Sequence, residues 1–162
     1  GMLLGGDWSA LDRNQAPFIA AALQVWFNRQ AVQLDLSQFS HNRSHTCPVC
    51  GSAPTASHLR MDCGGLRYLH CSLCETEWHH VRATCTQCES ARDLGYWSDE
   101  NHPSAMSAEG CGDCHTYLKW LDTSKDTSAD LLADDIATLS LDLAMDEKGL
   151  ERAGPNLLFF PG

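Results

Sequence analysis

The sequence has no run approaching the ~20 consecutive apolar residues of a membrane-spanning helix. Its opening, Gly1-Met2-Leu3-Leu4, has neither the basic stretch nor the long apolar core of a secretory signal. Membrane insertion is therefore not expected, and a cytoplasmic location is. Glycine-rich phosphate loops, H-E-x-x-H pairs and nucleophile elbows are all missing, so no catalytic residue is nominated and a binding protein rather than an enzyme is expected. Basic residues are scarce as well: 11 Lys and Arg stand against 21 Asp and Glu, a formal net charge of −10. Such a field repels phosphate backbones and argues against a nucleic-acid partner. Trp78, Tyr96, Trp97, Tyr117 and Trp120 are accordingly expected in cores and interfaces rather than as base-stacking platforms.

What the chain does contain is unevenly spread. Hydrophobic residues make up 43% of the 162, but the long aliphatic and aromatic ones concentrate near the two ends, while cysteine and histidine fill the middle. A centre of that kind closes no large apolar core by itself, and small modules of this type are normally held by metal or disulfides. Four stretches follow: a helical N-terminal segment (1–45), two cysteine-rich modules (46–82 and 83–124), and a C-terminal helix and tail (125–162). Residues 7–36 have helical apolar spacing, with Pro17 suited to a first turn. Residues 40–46 read as a polar linker. Leu66–His70 and Leu94–Trp97 are strand-like. A single helix is expected over about 129–148, with Leu132, Ile136, Leu139, Leu143 and Met145 as its apolar stripe and Gly149 as its stop. The acidic residues Asp134, Asp135, Asp142, Asp146 and Glu147 are expected to form a solvated or partner-facing surface.

Eight of the nine cysteines fall into four C-x2-C knuckles: Cys47/Cys50, Cys71/Cys74, Cys85/Cys88 and Cys111/Cys114. Spacers of 20 and 22 residues separate the knuckles within each half, as in an internal duplication. Two residues between cysteines let one tight turn aim both sulfurs at a point and bring backbone N–H groups toward the thiolates. A spacer of this length returns a hairpin to the same point, where a tetrahedral ion needs four sulfurs at about 2.3 Å. Two metal ions, iron or zinc, are therefore expected, because four thiolates suit both. Sequential pairing of the knuckles, which matches the duplication, is expected over a cross-braced arrangement. Each four-thiolate site with a divalent ion carries −2, which takes the formal charge from −10 to −14. Cys111-Gly-Asp-Cys114-His115 also fits the haem-attachment pattern, but a partner knuckle accounts for those cysteines better. Cys63 stays unassigned. His70, His79, His80 and His115 are expected as hydrogen-bonding neighbours or surface residues, since a ligand role would leave cysteines unexplained.

A specific resemblance is carried by Cys47-Pro-Val-Cys50-Gly51-Ser52-Ala53-Pro54, by Arg67-Tyr68-Leu69-His70-Cys71-Ser72-Leu73-Cys74-Glu75-Thr76-Glu77-Trp78, by Cys85-Thr86-Gln87-Cys88 and by Cys111-Gly-Asp-Cys114-His115-Thr116-Tyr117-Leu118-Lys119. The helix from Asp130 to Gly149 and the tail Glu151–Asn156 complete it, and Ala16–Val25 adds a stretch upstream. Together these resemble the formate dehydrogenase accessory protein family, FdhE, over nearly the whole chain. Family members carry a larger N-terminal helical region, of which only the last part is represented here. The resemblance implies an α+β fold of two consecutive rubredoxin-like or zinc-ribbon metal modules flanked by N- and C-terminal helices. It implies metal ligation by Cys47, Cys50, Cys71, Cys74, Cys85, Cys88, Cys111 and Cys114. It further implies a cytoplasmic maturation factor that binds the catalytic subunit of formate dehydrogenase. The alternative is a rubredoxin-like iron electron carrier or redox sensor.

Overall fold

The structure, a computed structural model, describes residues 14–35, 39, 45–100 and 104–158. The expected helical start at 7–13 and most of the 40–46 linker lie outside the described residues. The helix α1 spans Ala16–Ala31, with Pro17 in its first turn, where proline's missing N–H costs nothing. Its inward face is unusual. The buried positions are Ala16, Ala20, Gln24 and Ala31, whereas Phe18 and Trp26 are 78% and 56% exposed. Small inward residues let the helix backbone approach the cysteine-rich sheet closely enough for Gln24 to donate 2.8 Å to the Ser72 carbonyl.

The centre is one seven-stranded sheet. β1 (Pro54–Arg60), β2 (Leu66–Cys71) and β3 (Glu77–His80) form an antiparallel meander. β4 (Leu94–Trp97), β5 (Met106–Cys111) and β6 (Thr116–Leu121) form a second. The order across the sheet is β3-β2-β1-β6-β5-β4, so the two meanders are welded head to tail. The weld is a short parallel pairing of β1 with β6, Ser57 opposite Trp120 and His58 opposite Leu121. The two metal modules expected from the sequence are thus not separate beads but halves of one sheet. A two-residue strand, β7 (Glu151–Arg152), pairs with the start of β6.

Three apolar clusters hold this frame. One joins α1 to the first half through Ala20, Leu69, Leu73 and Trp78, with Leu118 of β6 reaching in from the second half. The others pack the C-terminal helices on the second half through Met106, Leu121 and Leu141, and through Ala108, Tyr117 and Met145. Leu69, Met106, Leu118 and Met145 are at most 2% exposed, each contributing roughly 1.5–3 kcal/mol.

The single helix expected over 129–148 is two, α2 (Leu131–Ala137) and α3 (Leu139–Glu147). Asp130 caps α2 by accepting from the Leu132 and Ala133 amides, and Gly149, at φ 73°, ends α3 in the left-handed conformation glycine favours. The break falls at Thr138 (φ −107°, ψ 41°). There Lys119 of β6, wholly buried, donates to the carbonyls of Asp135 (2.8 Å) and Thr138 (3.0 Å). A buried ammonium thus takes up carbonyls that a continuous helix would bond internally. The break also turns the apolar face: Leu141 and Met145 point inward at 2% and 0% exposure, while Leu143 of the expected stripe is 67% exposed. The expected solvated acidic surface holds at Asp146 and Glu147, which are exposed, and is corrected at Asp135 and Asp142. Asp135 is 1% exposed and receives Arg152 at 2.6 Å and Asn156 at 2.8 Å, and Asp142 receives Lys119 and the Tyr117 hydroxyl, both at 2.6 Å. Two cations face two carboxylates, so the buried cluster is neutral and fully hydrogen-bonded, the condition under which buried charge is tolerated.

Candidate metal centres

Each knuckle is a local structure repeated four times. In the first, the Cys47 amide bonds Ser52 O at 2.8 Å, Gly51 N–H returns to Cys47 O at 2.9 Å, and Val49 N–H points at Cys47 Sγ at 3.4 Å. In the third, the Cys85 amide bonds Ser90 O at 2.8 Å, Glu89 N–H returns to Cys85 O at 3.0 Å, and Gln87 N–H points at Cys85 Sγ at 3.3 Å. The residue after the second cysteine is left-handed in every knuckle: Gly51 at φ 78°, Glu75 at 59°, Glu89 at 59° and His115 at 56°. Only the first has the residue that adopts this without strain. The other three carry a side chain at roughly 1–2 kcal/mol each, held in place by the turn around the sulfurs. The second knuckle of each half is matched by a threonine: Thr76 Oγ1 lies 3.1 Å from Cys74 Sγ and Thr116 Oγ1 lies 3.1 Å from Cys114 Sγ.

The hairpins then gather the eight cysteines into two clusters. Cys47, Cys50, Cys71 and Cys74 form one, and Cys85, Cys88, Cys111 and Cys114 the other, with the sulfurs of each within 4.8 Å of one another. The grouping is sequential rather than interleaved. Cys47 to Cys74 is 3.5 Å and Cys50 to Cys71 is 3.4 Å; Cys85 to Cys114 is 3.5 Å and Cys88 to Cys111 is 3.7 Å. Four sulfurs at 2.3 Å from a tetrahedral ion stand about 3.8 Å apart, so both clusters fit such an ion with little movement. Sulfurs this close cannot all ionise without a cation. Hydrogen bonding with Cys50 pushes the Cys47 thiol up, and bonding with Cys47 pushes Cys71 up, while Cys47 holds Cys50 low and Cys74 at about 6. A divalent ion replaces those shared protons, so its uptake releases them.

Among the described residues, the histidines stay outside both clusters. His70 Nδ1 is 3.8 Å and His58 Nε2 3.1 Å from the Glu77 carboxylate, and these two partners, His58 foremost, hold that carboxyl well below the usual range. His79 packs edge-on against Tyr68. His80 is buried, its Nδ1 3.1 Å from Val81 O. Of the aromatics, Trp78 and Tyr117 are buried and Tyr96 is exposed.

Several residues around the clusters were not singled out by sequence reasoning. Thr76 and Thr116 had a visible signal, the same C-x-T step after both returning knuckles. Gln24 and Asn28, which bond the Ser72 and Cys74 carbonyls from α1, had none. Neither had Arg67, whose guanidinium crosses from the first half to the second.

Fold and sites together define a class: a tandem rubredoxin-like or zinc-ribbon protein with two four-cysteine clusters able to hold metal ions, flanked by helices. Comparison with known proteins narrows it. Residues 46–82 match the family model described as the FdhE central domain, and residues 83–159 match the FdhE C-terminal domain. The Protein FdhE homolog of Edwardsiella ictaluri is 48% identical over 99% of this chain and 53% of its own length. Protein FdhE of Salmonella paratyphi A is 46% identical over the same shares. The crystal structure of the FdhE protein from Pseudomonas aeruginosa superposes with a TM-score of 0.91 at 42% identity, covering 99% of this chain and 57% of that one. The chain belongs to the FdhE family. It spans about half the length of the curated relatives it matches. Among the described residues no helix is long and apolar enough to cross a membrane.

Proposed function

We propose that the chain serves as, or within, a cytoplasmic accessory factor that binds the catalytic subunit of formate dehydrogenase and supports its assembly or activation, without being an enzyme itself. Membership of the FdhE family over both cysteine-rich modules is the observation that carries this reading. The eight cysteines 47, 50, 71, 74, 85, 88, 111 and 114 hold two ions, iron or zinc, in this proposal. Four thiolates fill a tetrahedral ion, so the sites offer a substrate no open position and act on the fold, displaying a rigid surface to the client. A net charge of −10 suits a basic client segment, such as an arginine-bearing export signal. The test is co-purification of the apo catalytic subunit with this chain at low and high ionic strength. Retention at low salt that weakens as salt rises is expected. No retention at any salt overturns the client reading, and salt-insensitive retention removes the electrostatic part.

The exposure of Cys88 at the second cluster favours one other reading, a rubredoxin-like electron carrier or redox sensor. Anaerobic purification followed by iron, zinc and sulfide analysis separates the two. Two iron per chain, no sulfide and a reversible ferric–thiolate spectrum support redox work. Two zinc per chain leave the clusters as staples.

A further inference from the structure

Arg67 lies on β2, in the first half, four residues before the ligand-set cysteine Cys71, and only 4% of it is exposed. Its four side-chain hydrogen bonds all go elsewhere than to the first cluster. Its Nε donates to Ser57 Oγ at 3.1 Å within its own half. The rest of the guanidinium crosses the sheet. Nη1 donates to Glu109 Oε1 at 2.8 Å and to the Thr84 carbonyl at 3.3 Å, and Nη2 donates to Thr86 Oγ1 at 3.1 Å. Thr84 and Thr86 flank Cys85, and Glu109 stands two residues before Cys111 on β5. One buried fork therefore grips both arms of the second cluster at once: the turn that carries Cys85 and Cys88, and the strand that delivers Cys111. The first cluster is braced differently, by Gln24 and Asn28 of α1 on the Ser72 and Cys74 carbonyls.

From this arrangement we infer that Arg67 is a positioning residue for the second cluster and that through it the metal affinities of the two clusters are coupled. The inference rests on the reading that both clusters hold metal. The physical reason is geometric. β2 ends at Cys71, so metal in the first cluster fixes the strand on which Arg67 stands, and a fixed fork pre-organises the Cys85 turn against β5. Without it the second cluster must order its own arms when it closes on an ion, and that entropy is subtracted from affinity. Coupling of this kind is reciprocal, so the second cluster's metal must strengthen the first by the same factor. Arginine is needed because the contact is a planar fork with separated acceptors. A lysine ammonium can face Glu109 and the Thr84 carbonyl, which share one nitrogen of Arg67, but cannot also span to Thr86 and Ser57.

The test uses cobalt(II) as the probe, titrated into the reduced, metal-free chain against a competing chelator, with the thiolate charge-transfer absorption read out. Pairs of Cys→Ser changes, at Cys47 with Cys50 or at Cys85 with Cys88, report one cluster at a time. Arg67→Gln is expected to weaken the second cluster, measured with the first loaded, by at least roughly tenfold, the effect of losing about one charge-assisted hydrogen bond, and to leave the first, measured with the second disabled, nearly unchanged. Disabling the first cluster should weaken the second comparably, and adding Arg67→Gln on top should then change little. Arg67→Lys should not rescue. Should Arg67→Gln abolish both spectra by unfolding, Thr86→Val decides, with a severalfold loss expected at the second cluster alone. Arg67→Gln within about twofold of the parent at the second cluster, an equal loss at the first cluster measured with the second disabled, full rescue by lysine, or an unchanged Thr86→Val when that variant is decisive would each overturn the coupling. Failure of the parent chain to take up two cobalt ions overturns the metal reading, and the coupling with it.

Discussion

In the first cluster Cys47, Cys71 and Cys74 are buried and Cys50 is half-buried, whereas the second leaves Cys88 exposed and Cys114 half-buried. The knuckle turns, their left-handed closing residues and their threonine partners are the same in both. The difference lies in what covers them. α1 lies over the first, adding Leu23 and Phe27 to its apolar surround and two side-chain hydrogen bonds to its carbonyls. The second is gripped from one side by Arg67, and its Cys88 corner faces solvent. Local sequence thus makes the two sites alike as coordination units, and tertiary packing makes them unlike in access. A buried site is suited to permanence, an exposed one to exchange or oxidation.

The comparison breaks most sharply on ligand removal. Cys71→Ser is expected to cost the first cluster its ion and with it folding energy on the order of 10 kcal/mol, since no preformed site survives in the unfolded chain. Cys88→Ser, at the exposed corner, should leave the first cluster's ion in place and the sheet folded. Metal content per chain and thermal unfolding of the two variants check this, and equal damage from both would remove the distinction. Next in size is the brace under the second half. Lys119→Met leaves Asp135 and Asp142 to share Arg152 and should lower stability by about 3–5 kcal/mol in denaturant unfolding, because the cluster then buries one negative charge without a counter-charge. The brace over the first half is smaller. Gln24→Ala leaves the Ser72 carbonyl without this donor and should cost about 1–3 kcal/mol, speeding chelator-driven metal loss from the first cluster and not from the second. If the second cluster lost metal faster instead, α1 would not be the source of the difference.

The smallest effect lies between the halves. Burial, then the charge of Arg67, holds the His80 pKa below its usual value. The unfolded chain therefore binds the proton more readily, and stability is lost as pH falls through about 6.5 toward the lower folded value. His80→Asn should flatten this part of the profile, measured as the urea midpoint between about pH 7.5 and 5.5, on either side of the ordinary histidine value, while the steeper loss from protonating metal-bound thiolates remains. An unchanged profile would mean that His80 is not the group titrating there.

Much of the site was legible in the sequence because its geometry is local. C-x2-C places two sulfurs within one turn, and a spacer of 20 or 22 residues is a hairpin's length, so four converging sulfurs follow from chain reach. The strands at Leu66 and Leu94 and the stop of the C-terminal helical region at Gly149 were readable for the same reason. Asp135 and Asp142 were not, because whether a carboxylate is solvated depends on Lys119 and Arg152 approaching from other elements. Thr138 offered no glycine or proline to announce a break; the break is made by an ammonium from β6.

By itself, then, the sequence determined that this chain gathers eight thiolates into two clusters and belongs among tandem cysteine-rich modules, because spacing along the backbone fixes turns and hairpins. Only the tertiary structure decided that the two modules share one sheet, that α1 shelters one cluster and leaves a corner of the other in solvent, and that Arg67 reaches from the first half to the second. Those are outcomes of which surfaces meet, and contacts between residues tens of positions apart are set by the packing of whole elements, not by any pattern within one of them.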